Sequence, residues 1–174
     1  VLIRGGAFPN GVDPDIDNHG LQYWKRATME FFYDRGINFG ALGPFPDRQT
    51  PLMLYISSID LGSGSDPTGI VQFLLDSKAY INQTDRRGWS ALHHVANQIA
   101  LGRVKKSWEN KGDAEEYKLY QIANMLLAAG INQDLEDKNK RIAANMLQEV
   151  GAPIWNRDIS EYEQFMRSQR FNRE

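Results

Sequence analysis

Ile70-Val71-Gln72-Phe73-Leu74-Leu75-Asp76-Ser77-Lys78-Ala79-Tyr80-Ile81-Asn82 decides the fold when read together with the next segment of the chain, Asp85-Arg86-Arg87-Gly88-Trp89-Ser90-Ala91-Leu92-His93-His94-Val95-Ala96. The first segment carries apolar residues at a 3.6-residue rhythm and ends in a polar turn, so it reads as a helix with one buried stripe. The second opens with a tight turn at Gly88, where a positive φ costs least. Ser90 then stands where a hydroxyl can cap a new helix with a small, apolar face.

Working outward, both signals recur. Gln121-Ile122-Ala123-Asn124-Met125-Leu126-Leu127-Ala128-Ala129-Gly130 repeats the helix end, with Gly130 at the position just past a helix C-terminus. Thr28 to Asn38 repeats it earlier, and Leu2 to Asn10 preserves the tail of another copy. The helix start returns as Thr50-Pro51-Leu52-Met53, with Pro in the first turn, and more weakly as Asp137 to Leu147. Self-similarity of this kind marks a stack of helical hairpins, none of which can bury its apolar faces alone.

These residues resemble the ankyrin repeat, whose pattern runs D-x-x-G-x-T-P-L-H-x-A and then I-V-x-x-L-L-x-x-G-A-D-x-N with a period of ~33 residues. Gly88, Ser90, Leu92 and His93 match the first half; Ile70, Val71, Leu74, Leu75, Ala79 and Asn82 match the second; Gly6, Ala7 and Asn10 match the tail of a preceding repeat. The resemblance implies an all-α solenoid of ankyrin-like helical hairpins, with short β-turn fingers and a C-terminal capping helix. Residues 1–151 form the expected stack, starting with a partial repeat whose main helix is Leu21 to Tyr33, and residues 152–174 form an extension or cap. Two spacings depart from the family. Thr50 to Ser90 is 90 − 50 = 40 residues, and Leu75 to Leu127 is 127 − 75 = 52. The excess is assigned to inserted loops near 60–66 and 102–116. Leu74, Leu75, Leu126 and Leu127 are expected to face neighbouring hairpins, with Leu52 and Leu92 between layers. In the extension, Ser160 and Glu163 form a capping box, and Tyr162, Phe165 and Met166 are the docking side.

Composition narrows the function. The net charge of −2 and pI near 6.0 leave no overall basic footprint for nucleic acid. No apolar run approaches the ~20 residues that cross a bilayer, so no membrane insertion is expected. Without cysteine there is no thiol nucleophile or Cys-built metal site, which suits a reducing, cytoplasmic setting. The opening Val1-Leu2-Ile3-Arg4-Gly5-Gly6 reads as the end of a helix, so the chain is expected to be part of a longer protein.

No catalytic set, metal site or cofactor site is read from the residues. His93 falls on the family's recurrent His, whose implied role is in the hydrogen bonds joining adjacent turns. His93 and His94, being adjacent, cannot share a helix face for a metal. Asp13, Asp15 and Asp17 are spaced like calcium ligands, but no Glu stands at the EF-hand distance beyond them. Gly62-Ser63-Gly64-Ser65 lacks the ending of a phosphate loop, and Asn82-Gln83-Thr84 matches a glycosylation acceptor by chance.

Binding remains. The resemblance implies a partner protein on the concave face built from turn tips and the first helix of each repeat. In this chain that face maps to Phe45, Gln49, Ser57 and Ser58, then Arg86, Arg87, Trp89, Asn97 and Gln98, then Lys138, Asn139 and Arg141. Trp89 beside two arginines is the expected hot spot, and the basic tips point to an acidic partner segment. Trp108, within the basic run Arg103 to Lys111, either folds back on the stack or adds a further contact. The alternative reading is the targeting or scaffold portion of a larger enzyme or of a bacterial effector acting in a host cytosol, with catalysis outside this chain.

Overall fold

The computed structural model describes residue 34 and residues 47–59, 66–109 and 114–155. Apart from Asp34, the expected partial first repeat lies outside the described residues, as do Phe45, the side chain of Trp108, Asp13 to Asp17 and the helix expected at 160–167. Among the described residues are five helices and no strand: α1 (Pro51–Ser57), α2 (Thr68–Asp76), α3 (Ala91–Glu109), α4 (Ala114–Ala128) and α5 (Ala143–Glu149).

Helices α1 and α2 pack as one hairpin and α3 and α4 as the next, while α5 opens a third repeat. First helices line up in one row, α1 against α3 against α5, and second helices in another, α2 against α4. This is the two-layer stack that the repeated patterns require. Its core takes Leu52, Met53 and Ile56 from α1, Val71 and Leu74 from α2, and Leu92, Val95, Ala96 and Ile99 from α3. Leu119, Ile122 and Leu126 of α4 and Met146 and Leu147 of α5 complete it. The intervals of three, four and seven residues are those of one helical face.

Two helices depart from that one-sided pattern: Pro51 to Ile56 of α1 are all buried, and so is the start of α3, Ala91 to Ala96, His93 and His94 included. The start of α3 has no free side because α1, α4 and α5 all pack against this helix. The paired leucines are corrected in part. Leu74 and Leu126 are fully buried, whereas Leu75 and Leu127 are only half-buried at the edge of the core. One residue further along a helix turns the side chain by about 100°, which carries it off the shared seam.

Helix ends explain why the chain turns where it does. Thr50 Oγ1 accepts the Met53 N–H at 3.3 Å, and Pro51 occupies the first turn of α1. After α2 and α4 the chain closes alike: the Ala79 N–H donates to Leu74 C=O, and the Ile131 N–H to Leu126 C=O. Between them sits a residue at positive φ, Lys78 (59°) in one case and Gly130 (89°) in the other. Gly130 thus fills the expected C′ position, and Lys78 holds the same conformation with a side chain attached.

In the 102–116 region α3 runs on to Glu109 and α4 begins at Ala114, so the extra chain lengthens two helices. Arg103 ties their base together. Its Nε and Nη2 donate to Glu116 Oε1 at 3.0 and 2.6 Å, and its Nη1 donates to Gly151 C=O at 3.0 Å. Past α5, Ala152 and Trp155 are buried in the same core, and the Tyr120 hydroxyl donates to Pro153 C=O. The packed unit therefore continues through residue 155.

Candidate functional site

Three turns precede the three first helices, at residues 47–49, 85–89 and 137–141. The last two share one hydrogen-bond plan. The Asp85 N–H donates to Trp89 C=O, and the Asp137 N–H to Arg141 C=O, each at 2.9 Å. Each aspartate then accepts two backbone donors on Oδ1: Arg87 and Trp89 N–H at 2.8 Å for Asp85, and Asn139 and Arg141 N–H at 2.7 and 3.0 Å for Asp137. An arginine of the same turn covers Oδ2 in both, Arg87 in one and Arg141 in the other. Burial opposes the ionisation of Asp85, but His94 and the backbone donors outweigh it and hold the carboxyl at about 2. Asp137 is also held below the usual carboxylate range: burial opposes its ionisation, and the Arg141 and Asn139 donors outweigh that.

Tips of the turns share a left-handed residue: Arg48 (φ 53°), Gly88 (81°) and Lys140 (60°). The turns are also joined to one another. The Arg86 N–H donates to Asp47 C=O at 2.8 Å, and the Lys138 N–H donates to Arg87 C=O at 2.9 Å. At the second joint the backbones come so close that a Cβ on Gly88 would sit 3.0 Å from Asp137 Cα. Gly88 is thus required twice, by its φ and by its neighbour.

His93 makes a second kind of joint. Its Nδ1 accepts the Ser90 backbone N–H at 3.1 Å, with the Ser90 hydroxyl at 2.9 Å, and its Nε2 lies 3.1 Å from Arg141 C=O. A backbone N–H can only donate and a carbonyl can only accept, which assigns the neutral Nε2–H tautomer. Burial disfavours the imidazolium and lowers the His93 pKa, in keeping with that assignment. So the Ser90 hydroxyl engages the histidine ring where a bond to the helix start was expected. In the next repeat Asn145 does the same job, its Oδ1 accepting the Ile142 N–H at 3.0 Å. His94 Nε2 lies 3.3 Å from Asp85 Oδ2, an electrostatic contact too poorly aligned to be a hydrogen bond.

The residues assigned to the binding face divide by what holds them. Arg86, Lys138, Asn139 and Ser57 are exposed. Asn97 and Gln98 are half-buried, and Gln98 Nε2 donates to Ser57 C=O at 2.6 Å, bridging α3 to α1. Gln49 is buried. Trp89 is half-buried: its ring lies near-parallel to that of His93 and edge-on to that of His94, with centroids 6.4 and 5.4 Å away, and the Arg87 guanidinium lies 3.9 Å from its ring centroid. Arg87 also binds Asp85 at 3.3 Å, and Arg141 is held between Asp137 and Glu149. These three side chains brace their own turns. Sequence reasoning misses Arg48, which is exposed at the tip of the first turn, 40 residues before Gly88. Among the described residues no group of His, Asp or Glu could hold a metal ion, and no helix is long and apolar enough to cross a membrane.

No family model and no curated protein matches the sequence. Solved structures do match by shape, among them the crystal structure of the ankyrin repeat domain of Bcl-3, described as a unique member of the IkappaB protein family. That likeness covers 74% of this chain at a TM-score of 0.53. The fold is that of an ankyrin-repeat stack. At 18% identity the likeness speaks for the fold alone, and the chain spans 45% of the Bcl-3 domain's length. In this ankyrin-like stack the turns at 47–49, 85–89 and 137–141 are the fingers, and α1, α3 and α5 are the first helices of their repeats.

Proposed function

We propose that this chain is a protein-interaction module that holds a partner protein on the face formed by its fingers and first helices. The observation that carries this reading is the finger row itself. Three turns are fixed to one another by backbone hydrogen bonds, while Arg48, Arg86, Lys138 and Asn139 remain exposed on them. A surface whose backbone is fixed before binding loses little conformational freedom on contact, which favours recognition. Asn97, Gln98 and Ser57 extend the face along the first helices, and Leu101, one helical turn beyond Asn97, adds an exposed apolar contact.

Arg87, Trp89 and Arg141 support the face as braces of the fingers, so replacing them would mix a loss of folding with a loss of binding. The test therefore uses the outward residues. The chain serves as bait in cell extract beside an Arg86→Ala, Lys138→Ala variant whose thermal unfolding is first shown to be unchanged. A protein held by the parent and lost from the variant supports the reading. A partner held equally by both counts against the finger face.

A further inference from the structure

The cations on the fingers are of two kinds. Arg87 and Arg141 each meet a carboxylate of their own turn, Asp85 and Asp137, and Lys140 meets Glu136 just before its turn. Arg48, Arg86 and Lys138 do not: they are exposed, and none has a carboxylate within ion-pair distance among the described residues. Each finger thus presents one unmatched positive charge, on a chain whose net charge is −2. Two of the three sit at the joints that fix the row, since the backbone N–H of Arg86 and of Lys138 makes the finger-to-finger bonds. Their side chains therefore leave from an ordered backbone.

We infer that the finger row takes an extended acidic peptide segment of the partner, running across the stack with carboxylates opposite Arg48, Arg86 and Lys138. This rests on the protein-interaction reading above and names the chemistry of its partner. Charge complementarity selects the occupant. A nucleic acid fits less well for two reasons. Asp47 and Glu136 lie exposed beside the three cations, which an uninterrupted polyanion would have to pass. Trp89 is half-buried and already carries the Arg87 guanidinium 3.9 Å from its ring centroid, so a base would have to displace Arg87 to stack on that face. An acidic peptide can space its charges and leave neutral residues opposite the finger carboxylates.

The probe is a fluorescein-labelled peptide of about twelve residues with glutamate at regular intervals, which when extended reaches about 40 Å. It is titrated with the full chain by fluorescence anisotropy, beside a glutamine peptide of the same length and a single-stranded oligothymidylate. The glutamate peptide is expected to bind, to weaken as salt is raised, and to lose about five- to tenfold in affinity with Arg86→Gln, Lys138→Gln. Lys78→Gln, which removes an exposed cation away from the fingers, is expected to leave it unchanged. Circular dichroism and a thermal melt confirm that each variant is folded. Absence of salt-sensitive binding, equal affinity for the glutamine peptide, or indifference to the double substitution would overturn the inference. Equal or tighter binding of the oligothymidylate would overturn it too, in favour of a nucleic-acid face. Should the peptide fail while the protein captured from extract is still lost from Arg86→Ala, Lys138→Ala, the acidic partner is wrong and the interaction face stands.

Discussion

Replacing His93 tests how the repeats are joined, because the neighbouring repeat supplies its own control. His93 accepts the Ser90 N–H and reaches across to Arg141 C=O. Asn145 makes the first kind of bond in its own repeat. His93→Asn should keep the local bond and lose the bridge. A lost hydrogen bond costs about 0.5–1.5 kcal/mol, and the partly emptied site about 1 kcal/mol more, so the expected loss is about 2 kcal/mol. His93→Ala also strands the buried Ser90 N–H, which adds about 1–3 kcal/mol, for a total near 4 kcal/mol. Urea unfolding at neutral pH, followed by circular dichroism, measures both. The same pair predicts a pH effect. The unfolded chain takes up the His93 proton near 6.5, the folded chain only at lower pH. Between the two, the unfolded state holds more protons. Stability from this residue is therefore present above about 6.5 and is lost as pH falls through the lowered folded value. His93→Asn should make the decline between pH 7.5 and 5.5 shallower. A His93→Asn variant as stable as the parent would refute the bridging role, equal costs for the two variants would refute the bond to Ser90, and an unchanged decline would refute the buried neutral ring.

Substitutions in the turns and caps have equally definite outcomes. Gly88→Ala is expected to cost about 2 kcal/mol or more, because positive φ costs about 1–2 kcal/mol and the new Cβ meets Asp137 Cα at 3.0 Å. Gly130→Ala, with open space around it, should cost only the first part; thermal melts of the two separate the causes. Lys78→Gly should raise stability by about 0.5–1 kcal/mol, since glycine suits the positive φ after α2; a lower midpoint in urea would count against the cap geometry. Asp85→Asn keeps the Oδ1 acceptor and removes the charge. A carboxyl lowered to about 2 contributes stability that is full above about 3.8 and is lost as pH falls through 2. After discounting for solvent screening of a turn at the surface, the variant should be about 1–2 kcal/mol weaker at pH 7. Urea melts should show the gap closing in acid, and a constant gap would contradict it.

Much of this architecture was legible in the sequence, because it is written in local signals: the apolar rhythm of Ile70 to Leu75, the Thr50-Pro51 start and the Gly130 stop. The His93 joint was legible through the family resemblance. Asn145 was harder to see in its equivalent role, since amide and imidazole share no obvious pattern until both are found accepting an N–H at the helix start. Lys140 and Arg48 hid two finger tips for a related reason: a glycine announces a positive φ, and a residue that adopts it under tertiary constraint does not. On the candidate face, residue type hid the local partners on similar grounds. Arg87, Trp89 and Arg141 look like contact residues by type, but each has a partner within its own finger, and only three dimensions show it. Gln49 looks polar and free, yet it is buried.

The central claim is that the exposed finger row meets a partner protein. A photo-crosslinking amino acid placed at 86, at 138 and, away from the fingers, at the exposed Tyr80 position tests it most directly. After irradiation in cell extract, the account predicts the same discrete adduct from 86 and 138 and none from 80. An adduct formed only from 80, or none from either finger, would contradict it.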